Sequence, residues 1–393
     1  MKFRFAMPAL ALVAGLLSLT PAHADTTSAD YKTGYNLGHL AFEYGIPLMD
    51  MQRVYATQTS INVSDSSGDG PVNQFSSVPH LIVPTPSQKT VVAPNADTLY
   101  SIAWLDLSKQ AQVIHVPAIK GRFYSVSLYT PWTENFFNIT SLAGTDKFGA
   151  YRVTSGGNFV VTPPGFRGKV PTGVRRIASP YKRVWIIVRT LIRGKEDTAA
   201  VNKIQRGYGL KPLSAYGHPF TAPRPRRPVT ALRYATVPGT QPGQDPLAFY
   251  VALNRELIRF APMSQDGPLL AQLKQIDVGP GLNPANDSHL SADMLAGMRA
   301  AVTDGPANIQ SELKNLFLTT GSAHNWYFVV RTGTYGTDYQ RRAIVDVKGL
   351  GAPRSNISVY PFTQNNLVVA PLSGSSSYVL HIPAGQLPPV QAF

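Results

Sequence analysis

Short runs of alternating or continuous apolar residues dominate the chain between Lys89 and Arg193. Each run is bounded by proline, glycine, serine or aspartate, which is typical of β-strands that end in turns. Several strands at this spacing predict an antiparallel sandwich or barrel. The predicted strands cover residues 99–105, 112–116, 122–130, 148–153, 158–162 and 183–192.

A helical period replaces the alternation on both sides of this region. Ser28 is a suitable N-cap for a first helix, which we expect Pro47 to kink or to end, with a second short helix at 48–55. Further strands are predicted at 325–331 and 378–382, and residues 339–347 fit a helix or a strand. Amphipathic helices are predicted at 196–208, 246–261, 291–302 and 307–318.

These elements predict a β-rich α+β protein with two domains. The string His-Val-Pro-Ala at 115–118 recurs as His-Ile-Pro-Ala at 381–384, but only the first copy leads into another strand before the end at Phe393. We therefore expect the second, jelly-roll-like β domain to be truncated. The predicted division is a signal peptide at 1–24, an N-terminal β-rich domain with a leading helix at 25–216, a Pro/Arg-rich linker at 217–245, a helical connector at 246–350 and the start of the second β domain at 351–393.

The first 24 residues have the pattern of a secretory signal peptide. Lys2 and Arg4 precede an apolar run at 9–19, and Ala-His-Ala at 22–24 is a suitable cleavage site. The run is shorter than the roughly 20 apolar residues that a membrane span needs, and no later segment reaches that length. We expect a secreted or periplasmic protein that begins at Asp25 after cleavage following Ala24.

Composition and charge limit the catalytic chemistry and the kinds of partner that the chain can have. The 393 residues include no cysteine, which excludes disulfides, thiolate catalysis and Cys-ligated zinc. The formal net charge is +14, and residues 151–235 hold 17 lysines and arginines against two acids. Such a basic region indicates an anionic partner, which we expect to be a small molecule, a glycan or a lipid head group and not nucleic acid. A solvated basic surface with a basic linker is the alternative.

The predicted strand at 183–192 places an arginine among apolar residues. Alternation puts Trp185, Ile187 and Arg189 on one face, and an arginine there is costly to bury unless it is paired and hydrogen-bonded. We expect Arg189 to face a pocket and to pair with Asp97, Glu134 or an anionic ligand. An arginine at a sheet edge that reaches water is the alternative.

Polar and aromatic residues near this strand are candidates for the same pocket. Asn95, Asp97 and Tyr100 lie at the start of the predicted strand 99–105, where a turn closed by the Asn and Asp side chains is the alternative. Trp132 and Glu134 follow the end of another predicted strand. Aromatic bodies with a few polar tips suit a small-molecule pocket.

A second polar and aromatic cluster contains Tyr335, Asp338 and Arg342. It binds a ligand in one interpretation, whereas in the other Asp338 caps a helix that carries the arginine. No local zinc spacing of histidines and no nucleotide-binding glycine motif occurs. We therefore predict no metal and no cofactor, with a metal site assembled from residues distant in sequence as the alternative.

Several motifs together resemble two bacterial families. With Asn-Gln-Phe at 73–75, Pro-Asn-Ala-Asp-Thr-Leu-Tyr-Ser at 94–101, Gly-Arg-Phe-Tyr-Ser-Val at 121–126 and Val-Trp-Ile-Ile-Val-Arg-Thr at 184–190, residues 31–216 resemble the domain of unknown function 1254. Tyr-Gly-Thr-Asp-Tyr at 335–339, Gly-Leu-Gly at 349–351 and Tyr-Val-Leu-His-Ile-Pro-Ala at 378–384 resemble its companion, the domain of unknown function 1214. The resemblance implies a secreted or membrane-associated protein with two β-rich domains, and no reaction.

We expect the protein to bind a small or polymeric anionic ligand through a pocket that contains Asn95, Asp97, Tyr100 and Arg189. One alternative is a hydrolase or lyase with Asp97 or Glu134 as general base, which should have a deep cleft and a carboxylate of raised pKa. The other is a structural or interaction protein with a large exposed apolar patch, and free sheet edges would allow it to form oligomers.

Overall fold

The computed structural model describes residues 24–82, 94–143, 149–221, 235–286, 289–319, 322–323, 326–329, 331–365 and 370–385. The predicted signal peptide, the proline-rich part of the linker at 222–234 and residues 386–393 lie outside these ranges, apart from Ala24. Within them, no helix is long and apolar enough to cross a membrane.

The first helix, α1, spans Ala29–Gln58 as one element. The Ser28 side chain accepts a hydrogen bond from the backbone N–H of Tyr31 at 3.1 Å, which confirms the predicted N-cap. Of the two predicted outcomes at Pro47, the end of the helix is wrong, because the proline lies inside α1 and residues 48–55 belong to the same helix. All residues from 41 to 49 are buried, and this packing outweighs the one helical hydrogen bond that proline cannot form.

Ten strands, β1 to β10, form two sheets. The order in the first sheet is β1-β2-β9-β4-β5-β6, and in the second it is β10-β3-β7-β8. The pairs β5–β6 and β7–β8 are parallel, so the sheets are mixed and not purely antiparallel. In chain order the strands are Ser76–Ser77, Thr98–Asp106, Gln112–Val116, Tyr124–Tyr129, Asn135–Thr140, Ala150–Arg152, Gly157–Thr162, Arg175–Ala178, Arg183–Leu191 and Gly209–Pro212.

The two sheets pack face to face as a sandwich and form no closed barrel. Val184, Ile186 and Val188 of β9 meet Ile114 and Phe159 of the second sheet in one buried cluster. The strand predictions that contribute to this core are confirmed, and so is the β-rich α+β fold class. The pairing of two copies through the sheet edges stays a prediction.

The outer face of the six-stranded sheet is covered by the last turns of α1. Met51 and Val54 share a buried cluster with residues of β2 and β9. There the rings of Trp104 and Trp185 stack at 5.4 Å, and both indole N–H groups donate to Gln58 Oε1, at 2.8 and 3.1 Å. Alternate residues of β9 therefore belong to two different cores, one on each face of the sheet.

The remaining helices pack beside the sandwich. The predicted helices at 291–302 and 307–318 are one helix that runs through Pro306. These helices are α2 Thr198–Gln205, α3 Leu247–Arg259, α4 Gly267–Leu273, α5 Ala292–Thr319 and α6 Tyr339–Gly349, and a small sheet contains β11 Ser322–Ala323, β12 Trp326–Val329 and β13 Tyr360–Phe362.

Helices α1 and α5 lie against each other along much of their length. A Cβ atom on Gly34 would overlap the Met294 carbonyl, and one on Gly297 would overlap the Tyr31 carbonyl. The two backbones are therefore in direct contact, and this contact requires glycine on both helices. The packing against α1 also explains why Pro306 does not divide α5, because α1 contacts α5 before and after the proline.

The predicted strand at 378–382 is not formed. These residues belong to no ladder, and the side chains of Tyr378, Val379 and Leu380 are exposed. An extended apolar segment needs a neighbouring strand to become one, and no described residue supplies it. The domain boundaries and the completeness of the second β domain stay predictions.

Candidate functional site

Strand β9 lies inside the six-stranded sheet, between β2 and β4. Its Arg189 is the register partner of Tyr100 on β2 and of Ser125 on β4. Trp185 and Ile187 belong to the outer cluster of the sheet, which is the face that alternation assigns to Arg189. The alternative of an arginine at a sheet edge therefore does not apply.

A cavity of about 350 Å³ lies on this outer face. The sheet forms its floor, and α5, α6 and the small sheet form its walls. Most of the lining is aliphatic or aromatic, with Arg189 and Thr332 as internal polar groups and the exposed Lys348 at the rim. The apolar lining is Tyr100, Ile102, Trp185, Ile187, Leu313, Val329, Ile344, Val345, Leu350, Ala352, Tyr360 and Phe362.

Arg189 is held by one backbone carbonyl. Its Nη2 donates to the Gly351 carbonyl oxygen at 2.9 Å, and the Tyr129 hydroxyl donates to the same oxygen at 2.7 Å. Nη1 is shielded from solvent and has no hydrogen-bond partner among the described residues. The guanidinium of this cavity-lining residue therefore retains one unused donor.

Gly351 can occupy this place only because it has no side chain. Its φ is +83°, and a Cβ atom there would lie 2.6 Å from Ile187 Cδ1 and 3.2 Å from the Trp185 ring. Left-handed φ values and such close contacts both favour glycine. The loop after α6 therefore lies directly on the sheet, and its Gly351 carbonyl reaches Arg189.

Three tyrosines surround the guanidinium. Burial raises the pKa of Tyr129 to about 12, against the opposing effect of Arg189. Burial lowers the pKa of Arg189, but Tyr129, Tyr100 and Tyr360 together raise it above the ordinary value. The arginine is therefore charged and Tyr129 neutral at physiological pH, so Tyr129 does not neutralise the guanidinium.

Asn95 connects the turn before β2 to this site. Its Nδ2 donates to the Tyr100 hydroxyl at 2.7 Å, and its Oδ1 accepts the backbone N–H groups of Asp97 and Thr98 at 3.1 and 2.7 Å. The Arg189 guanidinium lies 5.6 Å from the centre of the Tyr100 ring. Asn95 thus closes a structural turn and also orients a tyrosine of the cavity.

Neither expected carboxylate pairs with Arg189. No ion pair joins the arginine to Asp97 or Glu134 in the described part of the chain, although the charge of Arg189 acts on Asp97. Burial raises the pKa of Asp97, and its own backbone N–H and Arg189 oppose the rise. Asn95, Asp97, Tyr100 and Arg189 therefore lie in one region, where only Tyr100 and Arg189 line the cavity.

Glu134 pairs instead with Arg342, in the second group of candidate residues. The Arg342 side chain is fully buried, and its Nη2 donates to Glu134 Oε1 at 3.1 Å and to the Gly336 carbonyl at 2.7 Å. The same carboxylate accepts the backbone N–H groups of Tyr335 and Gly336, each at 3.2 Å. Asp338 caps α6, since its Oδ1 accepts the backbone N–H of Arg341 at 3.2 Å.

Aromatic rings close the space around this ion pair. Arg342 lies 5.8 Å from the Trp132 ring and 5.7 Å from the Tyr339 ring. The hydroxyls of Tyr44 and Tyr339 donate to the fully buried Asp266, at 3.1 and 3.0 Å. The candidates therefore separate into two sites, with Asn95, Asp97, Tyr100 and Arg189 at the cavity and Trp132, Glu134, Tyr335, Asp338 and Arg342 in the aromatic cluster.

Sequence reasoning missed Tyr129, Gly351 and Tyr360. The Gly-Leu-Gly string at 349–351 was a usable signal, because two nearby glycines after an amphipathic helix often end it and start a tight loop. Nothing in the local sequence could assign Tyr360, which reaches the cavity from β13.

The fold and the cavity define a β-rich α+β protein, a sandwich with helices on one outer face. Residues 72–212 match the family described as "Protein of unknown function (DUF1254)". The part of the resemblance that concerns this family is confirmed for that segment. The resemblance of the later segments to the domain of unknown function 1214 stays a prediction.

One solved structure shows a related fold. It is the crystal structure of the VPA0106 protein from Vibrio parahaemolyticus, with a TM-score of 0.54 and 17% identity over 82% of this chain and 69% of that chain. An uncharacterized protein from Burkholderia cenocepacia aligns over 76% of this chain and 67% of its own at 12% identity, with a TM-score of 0.24 that is too low to indicate a common fold. No curated protein matches the chain.

Proposed function

We propose that the protein binds a small, largely apolar molecule with one anionic group, such as a carboxylate, in the cavity beside Arg189. The carrying observation is that Arg189 lines this cavity with no carboxylate in ion-pair distance and no acceptor for its Nη1 among the described residues. Buried donors are normally satisfied, and a buried cation is normally paired. A ligand carboxylate would supply both the acceptor and the counter-ion.

The size and lining of the cavity support a small ligand. Its volume of about 350 Å³ lies at the lower end of the range of roughly 300–1,000 Å³ for ligand pockets. Aliphatic and aromatic walls favour an apolar body, whereas Arg189 and Lys348 favour a negative charge. A small amphipathic anion matches this lining better than a polymeric glycan does.

Two observations disfavour the enzyme alternative. The Glu134 carboxylate already accepts two backbone N–H groups and pairs with Arg342, so its oxygens are engaged. Asp97 has a raised pKa but is not among the residues that line the cavity. Neither carboxylate therefore lines the cavity, where a general base would have to reach the ligand.

The proposed location is the periplasm or the exterior of the cell. The basic residues, apolar run and Ala-His-Ala site at 1–24 support export and cleavage after Ala24. Mass spectrometry of the exported protein should give a first residue of Asp25. A cytosolic protein that retains residues 1–24 would overturn this location.

The ligand proposal is tested by calorimetry and thermal shift with matched probes. We expect decanoate and 2-naphthoate to bind and to raise the melting temperature. The corresponding neutral alcohols and an anionic glycan such as heparin should bind at least tenfold more weakly.

Three variants separate the ligand site from general charge effects. Arg189→Met should lose at least tenfold in carboxylate affinity, and Val345→Phe, which fills the cavity, should lose binding while it remains folded. Arg206→Met removes the same charge at an exposed position and should bind normally. Equal affinity for acids and alcohols, or no effect of Arg189→Met and Val345→Phe, would contradict the proposal.

A further inference from the structure

A second group of ionisable side chains lies between α1 and α5. His39 and Glu43 are one turn apart on α1, and Glu312 faces them from α5. One ligand atom from each side chain, a histidine nitrogen or a carboxylate oxygen, lies within 4.8 Å of the other two. The close contact between the two helices extends toward this cluster, because a Cβ atom on Gly38 would lie 3.0 Å from Ala301 Cβ and one on Gly305 would lie 2.4 Å from the Phe42 ring.

The distances suit a shared metal ion better than hydrogen bonds. His39 Nε2 lies 3.4 Å from Glu43 Oε1 and 3.4 Å from Glu312 Oε1. A good N–H···O hydrogen bond has a length of about 2.7–3.2 Å. Metal–ligand bonds of about 2.0–2.1 Å separate neighbouring ligands of a tetrahedron by about 3.4 Å.

Each of the three side chains has one buried polar atom without a hydrogen-bond partner among the described residues. Glu43 is 5% exposed, and its Oε1 makes no hydrogen bond to any described residue. Glu312 Oε2 and His39 Nδ1 also have no such partner. A buried carboxylate with an unpaired oxygen beside a second carboxylate needs either a proton or a cation.

We propose that His39, Glu43 and Glu312 bind a divalent first-row transition metal, with Zn²⁺ as the best fit. Imidazole nitrogen and carboxylate oxygen are both zinc ligands, and three protein ligands leave a fourth position for water. Mg²⁺ and Ca²⁺ prefer ligand sets made of oxygen atoms alone. The ion would clamp α1 to α5, one turn or less from Leu313, which lines the cavity.

The proposed metal site is independent of the proposed ligand site beside Arg189. The competing interpretation is that the carboxyl groups of Glu43 and Glu312 share one proton. Burial first, and then Glu312, raises the pKa of Glu43 to about 8, which either a shared proton or a bound cation would accommodate. The two differ in whether the protein takes up a stoichiometric metal ion.

Calorimetry on chelator-treated, dialysed full-chain protein tests the proposal with the metal ions alone. We expect one Zn²⁺ per chain, weaker Mn²⁺ binding, and at least tenfold weaker binding of Mg²⁺. Co²⁺ should bind at the same site and give the visible absorption of four-coordinate cobalt. Glu312→Gln and His39→Gln should each weaken Zn²⁺ binding at least tenfold and abolish the cobalt spectrum.

Asp304→Asn is the matched control, because Asp304 lies on the same stripe of α5 and bonds to Tyr35 at 3.1 Å but does not belong to the cluster. It should bind Zn²⁺ like the unmodified protein. Circular dichroism establishes that each variant is folded, and the partly exposed Glu312 provides the mildest substitution. An absence of stoichiometric Zn²⁺ binding, or equal binding by Glu312→Gln and Asp304→Asn, would overturn the proposal.

Discussion

Arg189 and Arg342 both place a guanidinium in the interior, but their charges are balanced differently. Arg342 forms an ion pair with Glu134 at 3.1 Å and also binds the Gly336 carbonyl. Arg189 donates to the Gly351 carbonyl, among tyrosine side chains and with no carboxylate in ion-pair distance among the described residues.

The difference separates a structural arginine from an arginine that can bind a ligand. Both guanidiniums keep buried donors without a hydrogen-bond partner among the described residues, Nη1 in Arg189 and Nε and Nη1 in Arg342, so the difference lies in the counter-ion. In the buried ion pair each charge compensates the other, and removing one partner leaves the other uncompensated. Glu134 also accepts two backbone N–H groups next to α6, so the pair fixes the start of that helix. At Arg189 the counter-ion is missing from the described chain, and a cavity lies where it would be.

The largest expected effect is the loss of the Glu134–Arg342 pair. Arg342→Met or Glu134→Gln should each lower the free energy of unfolding by about 3–5 kcal/mol, since each leaves a buried partner without its counterpart. Urea unfolding measures this, with Arg206→Met as the exposed control. The double variant should lose less than the sum of the single losses. If the losses simply add, Glu134 and Arg342 are not coupled, and an internal ion pair no longer distinguishes Arg342 from Arg189.

The second largest effect is expected at Gly351. Gly351→Ala introduces a Cβ at a φ of +83° and 2.6 Å from Ile187, which should cost about 1–3 kcal/mol through strain and displaced packing. It should also weaken ligand binding, because the carbonyl that holds Arg189 must move. Gly349→Ala is the control, since no atom lies within 4 Å of the added Cβ there. Equal stability of the two variants would show that the loop does not need its close contact.

Arg189→Met should have a smaller effect on stability than either change at the ion pair. It removes one hydrogen bond, worth about 1 kcal/mol, and it also removes an unpaired charge from the interior, which offsets part of that loss. The urea midpoint should therefore move only slightly, while carboxylate binding is lost. A loss of unfolding free energy as large as that of Arg342→Met would mean that Arg189 has an internal counter-ion.

The sequence could predict the face of Arg189 but not its partner. Alternation along a strand is a local property, so Trp185, Ile187 and Arg189 could be assigned to one face before any contact was known. The Glu134–Arg342 pair joins residues 208 positions apart. Such a contact depends on how the elements pack, and no local period encodes it.

The helix boundaries also depend on packing that the local sequence does not encode. The local rule for proline predicts breaks at Pro47 and near Pro306, and both residues lie inside continuous helices. Burial around residues 41–49 and the contact between α1 and α5 outweigh the lost hydrogen bonds. The caps at Ser28 and Asp338 were predictable because a cap is formed by residues close in sequence.

The smallest expected effect concerns Asp97, which experiences the charge of Arg189 without pairing with it. Burial raises the pKa of Asp97 in the folded state above the value of about 3.9 in an unfolded chain. The folded state therefore holds this proton more tightly. The resulting stabilisation is present below about pH 3.9 and is lost as the pH rises through the folded-state pKa.

Asp97→Asn removes this pH dependence, so the variant should gain stability relative to the unmodified protein at pH 8 and little at pH 4. In an Arg189→Met background the gain should be larger, because Arg189 lowers the pKa of Asp97 and its loss makes the buried carboxylate less favourable. Urea midpoints of the four proteins at both pH values measure the coupling. A gain that does not depend on residue 189 would mean that the charge of Arg189 is already balanced by another group, and the contrast with Arg342 would then be lost.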